Sequence, residues 1–130
     1  MALWQKIDYE QASPAVRAVF DDIRATRNSD YINDVWKVLA NDPGLLERCW
    51  SRVKTVMSAG ALDPLTKELI YVAVSIANSC EYCVGTHGAA ARAKGMTDAQ
   101  YGELLAVVGL ASEMNRIVTG AQVELDERYR

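Results

Sequence analysis

Every proline in this chain, three in all, follows a serine or an aspartate and precedes apolar residues recurring with helical period. Such pairs open helices: the side-chain oxygen accepts from a first-turn N–H, and a first-turn proline sacrifices no hydrogen bond. Ser13-Pro14 leads into Val16, Val19, Phe20 and Ile23. Asp42-Pro43 leads into Leu45, Leu46, Cys49, Trp50, Val53 and Val56, with Gly60 as the stop. Asp63-Pro64 leads into a segment that is apolar almost all round, Leu65 to Ala77, and Asn78-Ser79 ends it. An all-round apolar helix belongs inside a bundle or at a subunit contact.

The rest of the chain reads the same way. A second helix is predicted from Ser29 or Asp30, carrying Ile32, Val35, Trp36 and Leu39. A fifth starts around Cys80 and runs through Lys94, with Gly95 just past its end. Thr97-Asp98-Ala99-Gln100 is a capping box. It opens a last apolar segment that Gly109 is expected to divide in two, and the charged tail after Gly120 frays or reaches a neighbouring subunit. No stretch alternates with period two. The expectation is an all-α fold, a compact helical bundle of six to seven helices with no sheet, forming a single domain over residues 1–130.

Charge excludes some partners. The net charge is −3 with no basic stripe, so neither nucleic acid nor an anionic membrane surface is an expected partner. The start, Met1-Ala2-Leu3-Trp4-Gln5-Lys6-Ile7-Asp8, lacks the pattern of a signal peptide. The longest apolar run, Leu69 to Ala77 interrupted by Ser75, is too short to span a bilayer. Together these predict a cytoplasmic protein.

Chemistry concentrates in Cys80-Glu81-Tyr82-Cys83-Val84-Gly85-Thr86-His87. On a helix, offsets of three and four share a face, so two thiols and the chain's one histidine form a single stripe. At a helix N-terminus the unpaired N–H groups favour thiolate over thiol. His87 can take the Cys83 proton, and Cys80 can close a disulfide on an oxidised Cys83. Glu68 comes to within about one turn of His87 if the flanking helices fold back on each other. There it orients the imidazole or passes a proton, with partial burial expected to raise its pKa. A CxxC of this kind is redox-active or metal-binding. Cys80, Cys83 and His87 are zinc-ligand types, but the second ligand pair of a structural zinc site is missing. A c-type haem is excluded because Val84, not histidine, follows Cys83. Cys49 reads as a small buried hydrophobe, Trp36 and Trp50 as core or interface anchors, Tyr82 as wall or packing, and Trp4 as part of an arm.

Lys67-Glu68-Leu69-Ile70, eleven residues between Glu68 and Cys80, Cys-x-x-Cys-x-x-x-His, the small residues Gly88-Ala89-Ala90-Ala91, Gly95-Met96-Thr97, Glu113-Met114-Asn115-Arg116 and Val123-Glu124-Leu125-Asp126 together resemble the AhpD-like alkylhydroperoxidase family, within the carboxymuconolactone decarboxylase superfamily. The resemblance covers roughly residues 60–126. It implies an AhpD-like fold that assembles as a trimer or hexamer, and thiol peroxidase or disulfide reductase activity without a metal or other cofactor. By position it makes Cys83 the peroxide-attacking thiol, Cys80 the resolving one, and Glu68 and His87 a proton relay. The substrate it implies is a hydroperoxide, and the reductant a lipoyl or thioredoxin-like dithiol protein. Well-known members carry a second histidine between the cysteines, where this chain has Tyr82, a phenol that is no base near neutral pH. Other readings of the same residues are a protein-disulfide reductase, a cofactor-free decarboxylase-like enzyme, and a non-catalytic oligomeric binding module.

Overall fold

The computed structural model describes residues 2–130; Met1, first in the stretch read above for a leader, lies outside them. Among the described residues there are six α-helices and no strand: α1 (Pro14–Arg27), α2 (Asp34–Leu39), α3 (Pro43–Met57), α4 (Pro64–Ala77), α5 (Glu81–Ala93) and α6 (Asp98–Gly120). Short 3-10 turns lie at Tyr9–Gln11 and Glu127–Tyr129. Among the described residues, no helix is long and apolar enough to cross a membrane. The helices fall into two compact units, divided between Ser58 and Ala59.

In the first unit, each proline-started helix carries its cap: the Ser13 hydroxyl accepts from the Val16 N–H and the Asp42 carboxylate from the Leu45 N–H. The apolar stripe of α1, Val16, Phe20 and Ile23, is buried against Ile32, Trp36, Leu46 and Trp50. Trp36 and Trp50 meet edge to face at 5.5 Å, and the Trp50 indole N–H donates to Asp22 at 2.7 Å. The second helix begins at Asp34, not at Ser29 or Asp30. Asn28 takes a left-handed conformation (φ 49°), which ends α1 and lets the Ser29 N–H bond back to the Arg24 carbonyl. The Arg24 guanidinium then claims the Asp30 carbonyl at 2.9 Å, so that oxygen does not begin a helix. Ile32 is buried nonetheless, two residues ahead of the helix.

In the second unit, α4 and α5 form a hairpin, and α6 packs on α4. Ser79, in the left-handed region (φ 58°), makes the joint, and the Cys80 N–H reaches back to the Ser75 carbonyl at 2.9 Å. α5 ends in a Schellman arrangement: Gly95 has φ 101°, its N–H bonds to the Arg92 carbonyl, and the Met96 N–H to that of Ala91. Met96 is buried there. The capping box forms in full, with Thr97 and Gln100 exchanging bonds of 2.8 and 3.1 Å.

Gly109 does not divide the last segment: α6 runs unbroken for 23 residues. A glycine in a helix costs only about 1 kcal/mol, which the turns on either side readily offset. A Cβ built there meets no atom within 4 Å. Gly109→Ala is therefore expected to stabilise the chain by about 0.5–1 kcal/mol, read as a rise in the urea midpoint. α4, apolar almost all round, is covered within the chain along one stripe. Its inner stripe, Glu68, Val72 and Ser75, is covered, while Ile70 and Val74 are about half exposed.

Candidate active site

The inner stripe of α4 and the facing stripe of α5 together build the site. α4 is fixed at its start by Asp63, which accepts from both the backbone and the hydroxyl of Thr66. One turn further on, Glu68 points at α5 and is only 5 % exposed. Its two oxygens have different partners. Oε2 lies 2.7 Å from His87 Nδ1, and Oε1 accepts from the Lys94 ammonium at 3.2 Å. Ser75, the other buried polar side chain of the stripe, is satisfied by donating to the Tyr71 carbonyl at 2.7 Å.

The Glu68 carboxyl is held below its ordinary value. Burial pushes it up, the direction expected from sequence, but the hydrogen bond and charge of His87, with Lys94 adding to both, outweigh burial. Two cations on one carboxyl outweigh burial: His87, the larger influence, and Lys94, which the sequence reading did not include. Glu68 is thus an anion near neutral pH.

His87 is held on two sides. Its Nδ1 faces Glu68, and its ring stacks on that of Tyr71, with centroids 3.5 Å apart and planes 20° from parallel. A carboxylate at Nδ1 calls for the N–H there, which in the neutral ring leaves the lone pair on Nε2. The imidazole is one turn beyond Cys83 on the same helix.

Cys80 is the N-cap of α5, and Cys83 sits in its first turn. The two are joined as a disulfide. The Cys83 N–H donates to the Cys80 sulfur at 3.3 Å, so a helix-end amide rests on that sulfur. When the bond is reduced, the same field favours thiolate over thiol in the pair. Tyr82, between them, is 45 % exposed. The arrangement thus places a disulfide and an imidazole oriented by a buried carboxylate along one helix and its N-cap.

Of the four residues singled out from the sequence, the structure bonds Cys80 to Cys83 and Glu68 to His87. Lys94 and Tyr71 escaped the sequence reading, although their spacing carries a signal. Lys94 is two helical turns from His87 and Tyr71 one turn from Glu68, so each shares a face with a residue already chosen.

The sequence pattern of the carboxymuconolactone decarboxylase family matches residues 43–123, well over half of the chain. The chain belongs to that family. Within it the chain is AhpD-like: it is 57 % identical to the solved alkylhydroperoxidase AhpD core of Rhodospirillum rubrum, covering 99 % of this chain and 97 % of that one, with a TM-score of 0.95. That likeness includes the all-α architecture. The chain is also similar to uncharacterized protein 4 in the cox locus of Paracoccus denitrificans, 39 % identical over 61 residues. The match takes in 47 % of this chain and spans about half, 52 %, of that relative.

Proposed function

We propose that this member of the family is a thiol peroxidase of the alkylhydroperoxidase kind. The observation that carries the reading is the Cys80–Cys83 disulfide at the start of the helix that also bears His87, whose ring is tied to Glu68. In the reduced chain, Cys83 gives its proton to His87 and the thiolate attacks the terminal oxygen of a hydroperoxide. The O–O bond breaks, the sulfur becomes a sulfenic acid, and the alkoxide leaves as an alcohol after taking a proton from the imidazolium. The Cys80 thiol then displaces hydroxide from that sulfenic acid, releasing water and closing the disulfide. Glu68 stabilises the imidazolium while it exists.

A dithiol protein of the lipoyl or thioredoxin-like class returns the pair to thiols, its own dithiol becoming the disulfide. A reducing compartment such as the cytoplasm suits that cycle. Copies of the chain associate as a trimer or hexamer, a reading supported by the apolar side chains left exposed on α4 and α6, among them Ile70, Val74, Leu105, Leu110 and Ile117.

The test is to count thiols. One equivalent of an organic hydroperoxide added to the reduced chain should remove two of its three alkylatable cysteines and leave Cys49, which stands outside the disulfide. Retention of all three thiols overturns the reading.

One observation favours a second reading, protein-disulfide reductase. The amide at the start of α5 rests on Cys80, so Cys80 also has the support needed to begin thiol–disulfide exchange. With a disulfide-bonded protein substrate, a mixed disulfide trapped by Cys83→Ser but not by Cys80→Ser supports that reading.

A further inference from the structure

We infer that Lys94 is the standing counter-ion of Glu68, and that its presence leaves His87 free to lose and regain a proton. Lys94 is then a positioning residue: it acts on the imidazole through the carboxylate.

A carboxylate that is 5 % exposed persists as an anion only with close cationic or hydrogen-bond partners. Glu68 draws both from α5 and its C-cap, His87 within the helix and Lys94 just past its end, and gives one oxygen to each. The two partners differ in kind. A lysine ammonium is a fixed charge in the neutral range, whereas an imidazole changes charge within it. Were His87 the carboxylate's sole cation, neutralising the buried charge would require the ring to stay protonated. A ring fixed as imidazolium cannot accept the Cys83 proton. With Lys94 on Oε1, the Glu68–Lys94 pair is neutral by itself and the ring can carry either charge.

The surrounding ionisable groups leave this division intact. From α4, Tyr71 covers the face of the ring, and the ammonium of Lys67 lies near Gly60, 3.5 Å from where a Cβ would stand. From α5, Cys83 is one turn before the ring, and Arg92 is engaged by Asp98 of α6 at 2.6 Å. Lys94 is the permanent cation bonded to Glu68.

What the freed ring is used for rests on the peroxidase reading; the counter-ion role does not. His87 is the chain's one histidine, so its ring carbons can be followed by NMR without assignment. The full reduced chain is titrated with ring-labelled histidine as wild type, Lys94→Met, Lys94→Arg and Glu68→Gln. Lys94→Met is expected to move the ring's midpoint to higher pH by about 1 unit. Lys94→Arg should return it to the wild-type position, and Glu68→Gln should move it to lower pH.

A midpoint in folded Lys94→Met that coincides with wild type overturns the inference, whatever the activity does. Turnover of cumene hydroperoxide is followed against pH in parallel, and the acidic limb of Lys94→Met should rise with the ring. If the ring moves but no variant, wild type included, consumes the peroxide, the counter-ion stands and the peroxidase reading falls. If wild type turns over and the limb stays put while the ring moves, the ring's freedom has no part in the reaction, and that half of the inference is overturned.

Discussion

Cys83→Ser should bring hydroperoxide consumption down to the background of a solution without enzyme, because a serine hydroxyl at that position supplies no thiolate to break the O–O bond. Cys80→Ser should behave differently. Its Cys83 still attacks, so one equivalent of peroxide is consumed in the first turnover, and the reaction then stops at a sulfenic acid that has no neighbouring thiol. A rapid-mixing trace shows a single burst in one case and a flat line in the other. Steady turnover by Cys83→Ser at the wild-type rate would assign the attack to a different group.

The second large effect belongs to Glu68→Gln. The amide keeps the shape of the side chain but cannot stabilise an imidazolium by charge. A loss of about 10²–10⁴ in kcat is expected, the range typical of acid–base groups. The same variant should change how the fold responds to acid. The wild-type carboxyl is depressed from 4.5 by its partners His87 and Lys94, which overcome burial. A group whose folded pKa lies below its unfolded one binds fewer protons folded than unfolded. Its contribution is therefore complete above about pH 5 and lost progressively as pH falls through the depressed folded value. Urea unfolding of wild type at descending pH should show that loss below about pH 5, and Glu68→Gln should show less of it. Parallel acid profiles would mean that the carboxylate contributes nothing to folding through its charge.

The helix starts were legible because their causes are local. Ser13, Asp42, Asp63 and Thr97 each bond to an amide within their own first turn, and the sequence states both partners. The second helix was misplaced for a tertiary reason: Asn28 reverses the chain and Arg24 takes the Asp30 carbonyl, neither of which hydrophobic spacing expresses. Gly109 misled because its cost is small against the length of the helix around it. At the site, the i, i+3, i+7 spacing of Cys80, Cys83 and His87 put them on one stripe, and the fold-back of α4 gave Glu68 the correct height. What spacing could not give was the sign of the Glu68 shift. That depends on a balance between burial and two cations, His87 first and then a lysine whose flexible stem must reach a particular oxygen.

The pairings that build the site are short in sequence. Glu68 reaches His87 across 19 residues and Lys94 across 26, and the two cysteines are three apart. Closing loops of that size costs little chain entropy, and contacts so local are the kind that form early on a folding route. The thiols, the ring and their anion should therefore come together as the α4–α5 hairpin zips, on the timescale of helix pairing and not of long-range docking. Hydrogen-exchange labelling during refolding would see the amides of α5 protected in the first kinetic phase.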